Sequence, residues 1–212
     1  MPQVVALPIF PLPDLTFFPR TVLPLHIFEA RYRAMITDCL SRDKRLIVVG
    51  LKPGYERTYE GKPPVHEVAG AGSVVQWERL PTGRYNLLLR GEFRARIERE
   101  LPTDTLYRMV AATPLQETGA DGPGVEGLAG RVKDRCRQIL TAVGRSGAEL
   151  QASLDTLRDP AELCDQLASA MVPAPATRQA LLEELHVERR LELLASALDD
   201  LLSQLTGEGG RT

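Results

Sequence analysis

The sequence predicts an α+β protein: a β-rich first part folded into a small barrel or folded sheet, followed by a helical bundle with a long last helix. Three observations predict it. Up to about Gln116, short apolar runs are cut repeatedly by Pro and Gly, the texture of many short strands. "ETGADGPGVEG", Glu117–Gly127, then interrupts the chain with glycines and a proline, a composition that reads as a linker. Beyond it, Val187, Leu191, Leu194, Leu198, Leu201 and Leu205 recur at alternating steps of four and three, the seam of a helix that wants a partner. The expected organisation is a β subdomain over residues 1–118, a helical subdomain over 119–206 and a flexible tail over 207–212.

In the first part, Val4–Phe10 and Thr21–Leu25 are apolar and carry prolines that suit edge strands and turns. Between Leu23 and Ile36 the pattern changes from alternation to a helical face of Phe28, Tyr32, Met35 and Ile36, expected to plug the barrel. Glu29 falls in the first helical turn, where the helix dipole favours a negative charge. "LIVVGL", Leu46–Leu51, reads as a buried strand. Val74–Leu80 and Arg84–Arg90 flank Pro81–Gly83 as a hairpin. "GAGS", Gly70–Ser73, reads as a turn. In "EFRARIERE", Phe93, Ala95 and Ile97 alternate with Arg94, Arg96 and Glu98, the period of a half-exposed strand. Thr105–Ala112 supplies one more.

In the second part, Val125–Val143 reads as a helix and Leu150–Leu157 as a short one. Asp159 is placed to cap the next, with Pro160 at the first helical position, where its missing N–H costs nothing. That helix ends at Met171, before Pro173 and Pro175, and Thr177 is expected to cap the last. Its seam packs either on the preceding helices or on a second copy, as a homo-oligomer contact.

Composition excludes several function classes. A net charge of −2 lacks the basic excess of a general nucleic-acid binder. Cys39, Cys136 and Cys164 are far apart and form no CxxC pair, which argues against a disulfide framework or a cysteine zinc site. No signal segment is expected at the start of the chain, because prolines at 2, 8, 11 and 13 interrupt the stretch and it lacks a basic start. No apolar run approaches the roughly 20 residues of a membrane span. A cytoplasmic protein is expected. His26, His66 and His186 lack HExxH spacing, and the Gly-rich stretches lack the Lys-Ser/Thr of a phosphate loop and the order of a dinucleotide turn. There is no G-x-S-x-G elbow. Glu183-Glu184 and Asp199-Asp200 are helix neighbours that diverge and cannot share a proton. No catalytic set, metal site or cofactor is therefore expected.

"LPIFPLPDLTFFPRTVLPLHIFEARYRAMI", Leu7–Ile36, carries an L-P-I-F-P-L strand, an F-P turn, a second L-P-L strand and a helix entered through E-x-R-Y. "GAGSVVQWERLPTGRYNLLLRGEFRARIERE", Gly70–Glu100, and "DPAELCDQLASAMVPAPATRQALLEELHVERRLELL", Asp159–Leu194, follow it. Three such motifs in this order resemble the N-terminal, substrate-binding domain of the Lon protease, in its stand-alone form. The resemblance implies a PUA-like β pseudo-barrel with a C-terminal helical bundle, and it carries over neither ATP hydrolysis nor proteolysis. It implies a non-enzymatic module that binds unfolded or partly folded polypeptide, or a partner protein. Two alternatives stand beside it: a PUA-like small-molecule or RNA binder using Arg90, Arg94, Arg96 and Arg99, and an adaptor that regulates a partner protease. Interleaved Glu92, Glu98 and Glu100 weaken any phosphate field on that arginine strip. For peptide binding, Phe17 and Phe18 in a Pro-bounded loop are the candidate apolar lip. His26, Glu29 and Arg33 are candidate rim residues, and the fork of Arg31 is suited to a carboxylate or backbone carbonyls.

Overall fold

The structure, a computed structural model, describes residues 3–58, 61–145 and 147–208. They form two compact units, Met1–Gln116 and Glu117–Thr212.

The first unit holds strands β1 (Val5–Leu12), β2 (Val22–Ile27), β3 (Arg45–Gly50), β4 (Val68–Arg79), β5 (Tyr85–Leu101) and β6 (Met109–Pro114), with helix α1 (Ala30–Leu40) after β2. β1 pairs with β3 in parallel; β3–β4, β4–β5, β5–β6 and β6–β1 are antiparallel. The five strands thus close a ring, and β2 is added to the first half of β5. Closure leaves no edge within the ring. β2 remains an edge strand, which is why it tolerates Pro24.

Alternation divides the apolar residues into two cores. Leu7, Ile9, Ile47, Val49, Ala69, Ala71, Ala95, Val110 and Ala112 come from all five ring strands and fill the barrel; the alanines keep it narrow enough for side chains to fill. The opposite faces supply Phe10, Leu46, Val48, Val74, Leu87 and Leu89, which pack with Tyr32, Met35, Ile36 and Cys39 of α1. The helix therefore covers the barrel wall from outside instead of plugging it, and Phe28, expected on its buried face, is 60% exposed. Strand β5 serves both cores because it carries an extra residue at Glu92: Ala71 pairs with Phe93 but Gly72 with Gly91. That bulge reverses the strand's alternation, sending Leu87 and Leu89 to one core and Ala95 to the other.

The lip expected at Phe17 and Phe18 is also corrected: both are buried, at 2% and 0% exposure. The cause lies in three glycines. Gly70 and Gly72, read above as a turn, stand within β4, and Gly91 within β5. A Cβ on Gly70 would lie 2.8 Å from the Phe17 carbonyl carbon, and one on Gly91 3.0 Å from that of Phe18, closer still to the oxygens. Bare backbone at these positions lets the Phe17–Phe18 segment lie directly on the sheet. Arg94 is likewise removed from the expected basic strip, being 1% exposed. The Pro81–Gly83 hairpin stands as expected, with Gly83 at φ 77° and Leu80 N–H donating to Arg84 O at 2.9 Å.

The second unit is helical: α2 (Val125–Ala142), α3 (Ala148–Thr156), α4 (Pro160–Met171), α5 (Pro175–Glu183) and α6 (Val187–Glu208). Asp159 caps α4, accepting from Ala161 N at 2.8 Å and Glu162 N at 3.1 Å. The helix expected from Thr177 onward is two helices, with Ala174 and not Thr177 at the first cap. The break has a source outside the helix. Thr118 N–H donates to Leu185 O at 3.0 Å and Val187 N–H donates to Thr118 O at 2.8 Å, so these groups leave the helical ladder.

The segment expected as a linker is accordingly built in. Besides that bridge, Glu117 accepts from buried Arg190 at 2.5 Å. A Cβ on Gly124 would meet Glu188, and one on Gly119 the His186 ring. Arg131 and Arg135 both bond Asp199. With Glu188 beside Gly124, these contacts show that α2 and α6 run in the same direction. Val187, Leu191, Leu194 and Leu198 of the seam are fully buried within the unit, whereas Leu201 and Leu205 are half-buried. Helix α6 continues through Gly207 and Glu208, and the rest of the expected tail, 209–212, lies outside the described residues.

Candidate functional site

The outer face of β2, β5 and β4 forms a groove of about 460 Å³. Strand register aligns its rows: Pro24–Leu88–Gln76 across the middle and His26–Asn86–Glu78 beside it. A second bulge, at Val75, lies between the Val74–Leu89 and Gln76–Leu88 pairs. Residues 75–79 are all exposed, and the only tryptophan, Trp77, is 44% exposed at the groove's lining, in the row of Leu25 and Leu87. Lys44 Nζ sits 4.4 Å from its ring centroid, a cation–π contact. His26 Nδ1–H donates to Asn86 Oδ1 at 2.7 Å, and Phe28 stacks on the imidazole at 6.3 Å between centroids. The result is an apolar floor with a fixed polar pair at one end, the usual composition of a ligand groove.

A smaller depression of about 250 Å³ is walled by Ile9, Pro11, Leu51, Pro63 and Leu106, with Arg31, Lys62 and Arg108 also on its lining. Glu100 serves two of these cations: Arg108 Nε donates to it at 3.1 Å and Lys62 Nζ lies 3.4 Å away. Burial pushes the Glu100 carboxyl up, but the hydrogen bond and charge of Arg108, with Lys62, outweigh this and hold it below the usual carboxylate range. Tyr107 donates to Asp38 Oδ2 at 2.7 Å, and burial together with that bond pushes the phenol up to about 12.

The candidate residues named from sequence are not brought into one site. His26 lines the large groove. Arg31 lines the small depression, with Glu29 as its ion-pair partner at 2.9 Å. Arg33 instead approaches the hairpin turn at Gly83. Phe17 and Phe18 are core. Trp77, Leu88, Asn86, Lys62 and Arg108 lie outside the residues expected from sequence; a single tryptophan in an otherwise polar strand end is the one available signal. Among the described residues no group of three or more His, Cys, Asp or Glu is placed to hold a metal ion, and no helix is long and apolar enough to cross a membrane.

The model of the ATP-dependent protease La (LON) substrate-binding domain matches residues 6–200. The chain belongs to the Lon substrate-binding domain family. The chain is 27% identical over 199 residues to the Lon protease of Xanthomonas oryzae pv. oryzae, covering 93% of this chain and 23% of that one. It is 26% identical over 204 residues to the Lon protease of Escherichia coli strain K12, covering 96% and 26%. The chain therefore spans about a quarter of the length of these relatives. In fold it is similar to the N-terminal domain of the Mycobacterium avium complex Lon protease, with a TM-score of 0.75 and 22% identity over 92% of this chain and 99% of that one. A Lon N-terminal domain protein from Xanthomonas campestris follows, with a TM-score of 0.66, 23% identity and coverage of 91% and 98%.

Proposed function

We propose that this Lon substrate-binding domain is a non-catalytic module that holds unfolded or partly folded polypeptide in the β2–β5–β4 groove. The observation that carries the reading is the groove itself, in which Pro24 and Leu88 offer apolar surface beside the His26–Asn86 pair, with the exposed Trp77 at its lining. The family's description as substrate-binding supports it. An extended chain has apolar side chains to seat on that floor and amide groups for the polar pair. Folded proteins bury both and are excluded. Cytoplasmic work suits three cysteines that are all buried and unpaired.

The test is a titration of a fluorescein-labelled, reduced and carboxymethylated protein, followed by anisotropy, with the intrinsic fluorescence of Trp77 as a second readout. Truncating a central aromatic anchor costs about 2 kcal/mol, so Trp77→Ser is expected to weaken Kd about thirtyfold. The native form of the same ligand protein is expected not to bind. Equal binding by the parent and by Trp77→Ser, with both folded by circular dichroism, refutes the groove.

A further inference from the structure

We infer that the depression between Arg31, Lys62, Arg108 and Leu106 binds the C-terminal residue of a polypeptide, holding its free α-carboxylate and an apolar side chain together. The inference rests on the polypeptide-binding reading and names the part of the chain recognised.

Charge is the first ground. Three cations line the depression, and among the described residues no carboxylate does. Their acids do not cancel them: Glu29 pairs with Arg31, while the single Glu100 is shared by Lys62 and Arg108. One positive charge is left over on a partly desolvated wall, where it acts more strongly than in open water.

The second ground is geometry. Arg31 is held from two sides, its Nε on Glu29 Oε2 at 2.9 Å and its guanidinium 4.6 Å from the Tyr32 ring centroid. Those contacts leave both Nη groups without a hydrogen bond from the described residues. A guanidinium fixed at Nε presents its terminal fork for a bidentate carboxylate. Arg108 is spent on Glu100 and on Pro63 O, at 2.9 Å, and contributes a fixed charge. Lys62 is 75% exposed, 3.4 Å from Glu100, and its long side chain can turn from that carboxylate onto a ligand.

Size and polarity supply the third. About 250 Å³ is below the roughly 300–1,000 Å³ of sites that enclose whole small molecules, and suits one residue. Leu106, 70% exposed, is an unexplained apolar lip beside Ile9, Pro11 and Pro63. A carboxylate next to an apolar side chain is the chemistry of a chain end such as a C-terminal Leu.

The experiment compares one labelled 12-residue peptide ending in Leu with its C-terminal amide at low salt. The free acid is expected to bind at least tenfold more tightly, about 1.4 kcal/mol. Arg31→Gln, and independently the surface substitution Lys62→Gln, are expected to bring the ratio toward one. Trp77→Ser is expected to weaken acid and amide alike and leave the ratio intact. A ratio near one in the parent, including binding of neither peptide, overturns the inference, as does a ratio that survives both substitutions. N-acetyl-leucine competing at the peptide's own Kd overturns the assignment to a polypeptide end. Insensitivity of both peptides to Trp77→Ser, with the acid preference intact, refutes the groove alone and leaves this site standing.

Discussion

Replacing Gly70 with Ala should unfold the strand unit far more readily than its size suggests. The added Cβ meets main chain, 2.8 Å from the Phe17 carbonyl carbon, where no flexible side-chain end can move aside. The Phe17–Phe18 segment must then lift from the sheet. Phe17 and Phe18 are 2% and 0% exposed, and exposing each forfeits about 1.5–3 kcal/mol of burial. The expected cost is about 3–6 kcal/mol, a large share of a domain's usual 5–15. Gly91→Ala should behave alike, since its Cβ would lie 3.0 Å from the Phe18 carbonyl carbon. Gly130, exposed in α2 with nothing within 4 Å of such a Cβ, is the opposite case; Gly130→Ala should stabilise the helical unit by about 0.5–1 kcal/mol. Urea titration separates the units, because Trp77 reports only on the strand unit and circular dichroism at 222 nm reports mostly on the helices. With a urea slope of about 1–3 kcal/mol/M, Gly70→Ala should lower the fluorescence midpoint by at least ~1 M. A shift of only a few tenths molar in both Gly70→Ala and Gly91→Ala would refute the close approach of the Phe17–Phe18 segment.

Arg190→Met should cost the helical unit about 3–5 kcal/mol, because it removes the cation beside Glu117 at 2.5 Å and fully buried Asp165 at 3.6 Å; an unchanged Tm by circular dichroism contradicts this. The thiols should resist a disulfide reagent at pH 8 until denaturant is added, when all three react: each is buried, and burial pushes Cys39 up to about 12 and Cys136 up to about 11. Glu100 is held below the usual carboxylate range in the folded state, so its contribution is present above the ordinary carboxylate pKa of about 4.3 and is lost as pH falls through the lower folded value. Urea midpoints between pH 6 and pH 3 should therefore fall more for the parent than for Glu100→Gln, and parallel curves would deny the Arg108–Glu100 pair that role.

What was legible in the sequence was local. Asp159-Pro160 marks a helix start because the cap, the proline and the two N–H groups it serves lie within four residues. The alternation through Phe93, Ala95 and Ile97 marks a strand for the same reason. The misread elements depend on distant partners. Burial of Phe17 and Phe18 requires glycines at 70, 72 and 91, and nothing near residue 17 encodes them. The break at Leu185–Val187 is imposed by Thr118; the local sequence favours continuing the helix. The candidate sites lie at the same level. A bulge at Val75 sets Trp77 opposite Leu87 instead of Asn86, and the register of β2 on β5 sets His26 against Asn86, 60 positions away. Arg31 alone looks like a helix-surface cation. It becomes a carboxylate fork in waiting only because the barrel brings Lys62, Arg108 and the exposed Leu106 to its side. The role proposed for it thus depends on the folded strand unit, and Gly70→Ala, which lifts the Phe17–Phe18 segment from the sheet, should lower C-terminal discrimination in step with the fluorescence-monitored unfolding of that unit, without touching any residue of the depression.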